Sequence, residues 1–146
     1  MQIGLACDHG GYELKEELKA FLKSLGIEPI DMGSFNEESV DYPDFGILVA
    51  EKVSRGELER GVLICGTGIG MSIVANKHVG VRAAAVESLD AARLAREHND
   101  ANVLAIGART VPWERAHEII TVFLTTKFQG GRHQRRIDKI HSLTNL

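Results

Sequence analysis

Cysteine is scarce in this 146-residue chain: Cys7 and Cys65 are the only two, too few for a disulfide framework, so each is judged by its surroundings. Long apolar runs are missing, and none approaches the roughly 20 residues that a membrane span needs. The first residues, Met1 to Asp8, carry no basic region and meet an acid at the eighth position, which argues against a secretory leader and for a cytoplasmic protein. Proline occurs three times, and no linker, repeat or low-complexity stretch interrupts the chain. An excess of one charge is lacking too, with 17 basic and 20 acidic residues for a net charge of -3. Such a chain, with only 5% aromatic residues, is a poor partner for nucleic acid. What remains is an ordinary globular composition, 44% hydrophobic and 25% charged, of a length that closes one core, so residues 1–146 read as a single domain. Glycine stands out, at 15 residues.

Five short apolar runs alternate with helical patterns. Ile3–Cys7 reads as a buried strand stopped by Asp8-His9-Gly10-Gly11. Leu14, Leu18, Phe21, Leu22 and Leu25 recur at helical spacing, with Lys15, Glu16, Glu17 and Lys19 between them and Gly26 at the C-cap. Ile27–Ile30 contains Pro29, whose missing N–H suits an edge strand. A helical period over Phe45–Val53 precedes the third strand, Val62–Cys65, and Met71–Asn76 is helical. Val81–Val86 reads as strand four, Leu89–His98 as an amphipathic helix, Val103–Ile106 as strand five, and a helix follows from Pro112 to about Phe128. The chain closes on Gly130-Gly131 and a basic amphipathic segment from Arg132. Alternation of this kind predicts a doubly wound α/β domain with a parallel sheet and helices on both faces.

In such sheets ligands bind beyond the carboxyl ends of the strands. There the sequence places Asp8 and His9 after strand one, Cys65-Gly66-Thr67-Gly68-Ile69-Gly70 after strand three and Gly107-Ala108-Arg109 after strand five. A glycine-rich turn that opens a helix offers N–H groups to an anion. It is not a dinucleotide fingerprint, because position 71 is Met71 rather than glycine, and it is not a Walker loop, because the lysine is absent. A cysteine-phosphatase loop would need arginine where Met71 stands, and a phospho-receiver would need aspartate in place of Cys65. Cys65 is either a small buried apolar residue or, ahead of a helix N-terminus, a thiolate. Cys7, followed by an acid, reads as structural. His98 ends a helix, where a dipole favours imidazolium, and serves as cap or catalyst. In the tail, Arg132, Arg135, Arg136 and Lys139 form a basic stripe suited to a small phosphate, while Ile137, Ile140 and Leu143 form an apolar line.

Together Asp8-His9-Gly10, Asp41-Tyr42-Pro43, Cys65 to Gly70, Ala75-Asn76-Lys77, His98 to Leu104, Gly107-Ala108-Arg109 and Gly130-Gly131-Arg132-His133 resemble the type B ribose-5-phosphate isomerases, within the sugar-phosphate isomerases that include the galactose-6-phosphate enzyme subunits. The resemblance implies a flavodoxin-like sheet of order 2-1-3-4-5. It also implies interconversion of ribose 5-phosphate and ribulose 5-phosphate through an enediolate in the pentose phosphate pathway, with no metal or other cofactor. By position, Cys65 matches the base that moves the proton between carbons 2 and 1. His98 matches the acid that opens the furanose ring, with Asp8 beside it. Gly66, Thr67, Gly68, Ile69 and Gly70 match the cradle for the enediolate oxygen. His9, Arg132 and Arg136 match phosphate-side groups, Asn99 and Arg109 further substrate contacts, and Tyr42 a lining residue. One branch carries glutamate at the position of Met71, so Cys65 with Met71 marks the cysteine branch. Relatives of this kind are homodimers or dimers of dimers whose sites draw on two chains, which implies that the basic helix from about residue 132 packs at a subunit interface. The alternatives are an isomerase for allose 6-phosphate or galactose 6-phosphate, and a non-catalytic sugar-phosphate sensor.

Overall fold

A computed structural model describes all 146 residues. In chain order they form β1 (Gln2–Cys7), a 3-10 turn (His9–Gly11), α1 (Tyr12–Ser24), β2 (Glu28–Asp31), α2 (Tyr42–Ser54), β3 (Arg60–Cys65), α3 (Ile69–Ala75), β4 (Ala83–Ala85), α4 (Leu89–Asn99), β5 (Val103–Gly107), α5 (Trp113–Thr125) and α6 (Arg132–Thr144). The expected elements are all present, with shifted ends. Pro43 occupies the first turn of α2, which starts three residues before Phe45, because proline's fixed φ suits that position. α1 ends in a Schellman motif: Gly26 takes φ +75°, and Ile27 N–H reaches back to the Leu22 carbonyl at 3.0 Å.

The five strands are parallel and ordered β2-β1-β3-β5-β4. The parallel, doubly wound sheet expected from the sequence is therefore observed, but its order 2-1-3-4-5 is corrected: the last two strands are exchanged. Burial explains the exchange. Every residue of β5, Val103–Gly107, is buried, which requires a neighbour on each side and cover on each face. The three alanines of β4 are part-exposed and suit an edge. β2, with Pro29, forms the other edge.

α1, α4 and α5 pack on one face, around Leu18, Ile64, Leu104, Ile120 and Phe123. α2 and α3 cover the other, around Val49, Leu63, Met71 and Val103. The chain therefore leaves β1 toward one face and β3 toward the other, which opens a cleft between their carboxyl ends. Each helix runs back toward the amino edge. α4 begins at Ser88, whose hydroxyl accepts the Ala91 N–H at 3.1 Å, and its 11 residues carry His98 and Asn99 to the far end of the sheet. At about 1.5 Å per residue that is a displacement of roughly 16 Å. No helix is long and apolar enough to cross a membrane.

One side chain departs from its periodic assignment. Lys15, at a charged position of α1, is fully buried. Its ammonium donates to Asp31 Oδ1 and to the Ser34 carbonyl, both at 2.6 Å, and Lys19 binds the other Asp31 oxygen at 2.8 Å. Burial alone would raise the Asp31 carboxyl, but hydrogen bonds from Lys15, Lys19 and the Gly33 N–H outweigh it and hold it below the usual carboxylate range. The stability this contributes is present above about pH 4 and is lost as pH falls through the lowered value. Lys15→Met is therefore expected to lower unfolding stability by about 3 kcal/mol at pH 7, because it leaves a largely buried carboxylate short of a partner. In denaturant titrations the deficit should shrink as pH drops below about 4; a deficit independent of pH would contradict this account.

Candidate active site

Three strand ends meet at the cleft. After β1, Asp8 Oδ1 accepts the Gly11 N–H at 3.1 Å, which fixes the turn, and a Cβ on Gly11 would lie 2.7 Å from Ile64 Cγ2. His9 Nδ1 lies 3.1 Å from the Val40 N–H and 3.2 Å from the Val40 carbonyl oxygen, which anchors the ring to the segment before α2. After β3, Cys65 is 4% exposed and its sulfur accepts the Gly68 N–H at 3.2 Å. Gly68 adopts φ +79°, and a Cβ there would lie 3.0 Å from the Ile106 carbonyl carbon, so only glycine fits between the loop and β5. The N–H groups of Gly66, Thr67 and Gly70 have no acceptor within the chain, while Thr67 Oγ1 accepts the Ile69 N–H at 3.3 Å. After β5, Arg109 lies along Gly66, where a Cβ would come 3.5 Å from its Nη1. Tyr42, at the start of α2, closes one wall against Gly70. Asp8, Tyr42, Cys65, Gly66, Thr67, Ile69, Gly70, Ile73 and Arg109 line a cleft of about 460 Å³.

The remaining candidates lie elsewhere. His98 and Asn99 end α4 at the amino edge, and α6, bearing Arg132 and Arg136, packs beside them. His98 stacks on His133 with ring centroids 4.2 Å apart. Burial, then the charges of His98, Arg132 and Arg136, push the His133 imidazole down from its ordinary value. Its Nε2 is buried without a hydrogen-bond partner. One chain thus brings Asp8, His9, Tyr42, the Cys65 loop and Arg109 to one edge, and His98, Asn99, Arg132 and Arg136 to the opposite one. It does not bring His98 beside Asp8, nor Arg109 beside Arg132 and Arg136. Sequence reasoning assigns no role to Lys15, and it meets His133 only as part of the Gly130-Gly131-Arg132-His133 motif; a lysine next to Leu14 and Leu18 is a faint signal for the first. Cys7 is buried, its thiol pushed up by that burial and placed 3.7 Å from Ser34 Oγ. No group of three His, Cys, Asp or Glu side chains is arranged to hold a metal ion.

A doubly wound sheet with a thiol, a carboxylate and an arginine around a glycine-rich cradle defines a class of small-anion enzymes, and the comparisons narrow it. Residues 3–140 match the family model described as Ribose/Galactose Isomerase; the chain belongs to this family. A putative sugar phosphate isomerase of Bacillus subtilis, YwlF, is 52% identical over 96% of this chain and 95% of its own. Ribose-5-phosphate isomerase B of Escherichia coli is 45% identical over 97% and 95%. Among solved structures, ribose-5-phosphate isomerase B of Clostridium thermocellum superposes with a TM-score of 0.97 at 53% identity, covering 99% of this chain and 98% of that one. The Mycoplasma genitalium enzyme with bound ribulose-5-phosphate gives 0.94 at 44% identity, covering 99% and 96%.

Gly70 offers a test of the cleft wall. A Cβ there would lie 2.5 Å from Tyr42 Cζ, although alanine favours a helix over glycine by about 1 kcal/mol. Gly70→Ala should therefore keep or raise the melting temperature while ribulose 5-phosphate binding, measured by calorimetry, weakens at least tenfold. Unchanged affinity would show that Tyr42 is not a wall of the binding site.

Proposed function

We propose that this chain is an aldose–ketose isomerase that interconverts D-ribose 5-phosphate and D-ribulose 5-phosphate through an enediolate, a step of the pentose phosphate pathway. The observation that carries this reading is the Cys65 thiol at a cleft beside unpartnered N–H groups of its own loop. Cys65, as thiolate, takes the proton from carbon 2; that electron pair becomes the bond between carbons 1 and 2, and the aldehyde's π electrons move onto O1. The N–H groups of Gly66, Thr67 and Gly70 receive the developing charge, each such donor being worth roughly 3 kcal/mol. The thiol then returns its proton to carbon 1 while the O2 hydroxyl proton passes to O1, leaving a ketone at carbon 2. Thr67 orders the loop, Tyr42 and Ile69 line it, and Arg109 contacts the sugar.

Ribose 5-phosphate is mostly a closed furanose, so a separate acid must open it. His98 takes that role, with Asp8 assisting; Asn99 holds the sugar, and His9, Arg132 and Arg136 the phosphate. Their separation within one chain supports a homodimer, or a dimer of dimers, in which the amino edge of one copy completes the cleft of another. Exposed apolar side chains support the same arrangement: Ile69 and Ile73 at the cleft, Ile140 and Leu143 on α6. Two free thiols suit a reducing, cytoplasmic setting.

Cys65→Ala is expected to lower kcat about 1,000-fold, within the range of a lost general base, with KM changed only a few-fold. Full activity in this variant would remove Cys65 from the chemistry. His98→Asn should leave ribulose 5-phosphate, which cannot form a furanose, turned over in proportion to enzyme, while consumption of ribose 5-phosphate levels off at the spontaneous ring-opening rate. Proportionality with both sugars would assign ring opening to another group.

A further inference from the structure

Arg82 stands at the amino edge just ahead of β4, its side chain 19% exposed. Its Nε donates to the carbonyls of Asn99 at 2.9 Å and Asp100 at 3.2 Å. Nη2 donates to the Asp100 carbonyl at 2.9 Å and faces the Asp100 carboxylate at 3.4 Å. Nη1 donates to the Gly80 carbonyl at 3.4 Å and to His141 Nε2 on α6 at 2.9 Å. A guanidinium only donates, so His141 accepts at Nε2 and carries its proton on Nδ1, which donates to the Leu146 carbonyl at 2.7 Å. The base of the side chain is fixed as well: the Arg82 N–H donates to Asn102 Oδ1 at 2.8 Å, and Asn102 Nδ2 to the Gly80 carbonyl at 2.9 Å.

The turn that Arg82 grips is a costly one. Asp100 adopts φ 44° and ψ 43°, a left-handed conformation that a side chain disfavours. Arg96 Nη1 holds its carboxylate at 2.8 Å from the α4 side. A single planar fork thus ties the end of α4, with His98 and Asn99, to the helix that bears Arg132 and Arg136, a geometry that one ammonium cannot reproduce.

We propose that Arg82 is a positioning residue for the isomerisation: through the Asn99 and Asp100 carbonyls and His141 it holds the sugar-side and phosphate-side groups in one rigid unit. This rests on the assignment of His98 and Asn99 to the sugar and of Arg132 and Arg136 to the phosphate. The test uses Arg82→Lys and Arg82→Gln in the full assembly. Each should fold with the wild-type oligomeric mass and lose about 100-fold in kcat/KM, the scale of a displacement near 1 Å. Consumption of ribose 5-phosphate should level off with increasing enzyme, while ribulose 5-phosphate turnover stays proportional to it. A purely structural loss would lower the active fraction and leave both rates proportional to enzyme, which would overturn the proposal. Failure of both variants to fold would overturn it as well, since Arg82 would then serve the fold. Levelling off in His98→Asn but not in the Arg82 variants would reject Arg82 alone; its absence from His98→Asn would reject the underlying assignment.

Discussion

The turn out of β3 has no room for a side chain where Gly68 crosses β5, and the rest of the site depends on that constraint. Gly68 passes so close to the β5 backbone that a Cβ would press on Ile106, and a Cβ on Gly107 would lie 2.7 Å from the Thr67 backbone. The loop is clamped further by the Ala108 and Arg109 N–H groups, which donate to the carbonyls of Cys65 and Gly66 at 2.8 and 3.0 Å. Those bonds use the loop's carbonyls and turn its N–H groups outward, beside the thiol. In the function proposed above, stabilising an enediolate needs donors already aimed before the charge appears, and a loop clamped in this way suits that need.

Parallel α/β architecture imposes the second constraint. Strands deliver their ends to one edge, and the following helices carry the chain back to the other. Cys65 ends a strand and His98 ends a helix, so their positions in the chain already commit them to opposite edges. The residues around His98 are nonetheless as firmly held as those around Cys65, with the arginine fork beneath them and the His133 ring stacked alongside. Both groups are rigidly built although they lie far apart in one chain, and the dimer proposed above would bring them together.

Much of this was legible in the sequence because periodicity and strand exits are local signals. Leu14, Leu18 and Leu22 announced α1, and the glycines after Cys65 announced the cradle. Strand order was not legible: Val81–Val86 and Val103–Ile106 both read simply as strands, and only pairing decides which takes the edge. Lys15 was hidden because its partner, Asp31, is 16 residues away. Arg82 was invisible for a different reason, since most of its acceptors are backbone carbonyls, which carry no residue signature. His98 could be recognised by its neighbours, and its place at the end of a helix sets it at the edge opposite Cys65, but linear order does not say what stands across from it.

The central claim, that each site joins the Cys65 edge of one copy to the His98 edge of another, is tested most directly by subunit exchange between two variants that are each impaired on ribose 5-phosphate. Chains carrying Cys65→Ala and chains carrying His98→Asn, mixed in equal amounts and allowed to exchange, should form hybrids with one wholly wild-type site. Random pairing then restores about one quarter of wild-type activity on ribose 5-phosphate. A mixture that stays at the average of the two variants would contradict the claim, since each chain would then supply both groups to its own site.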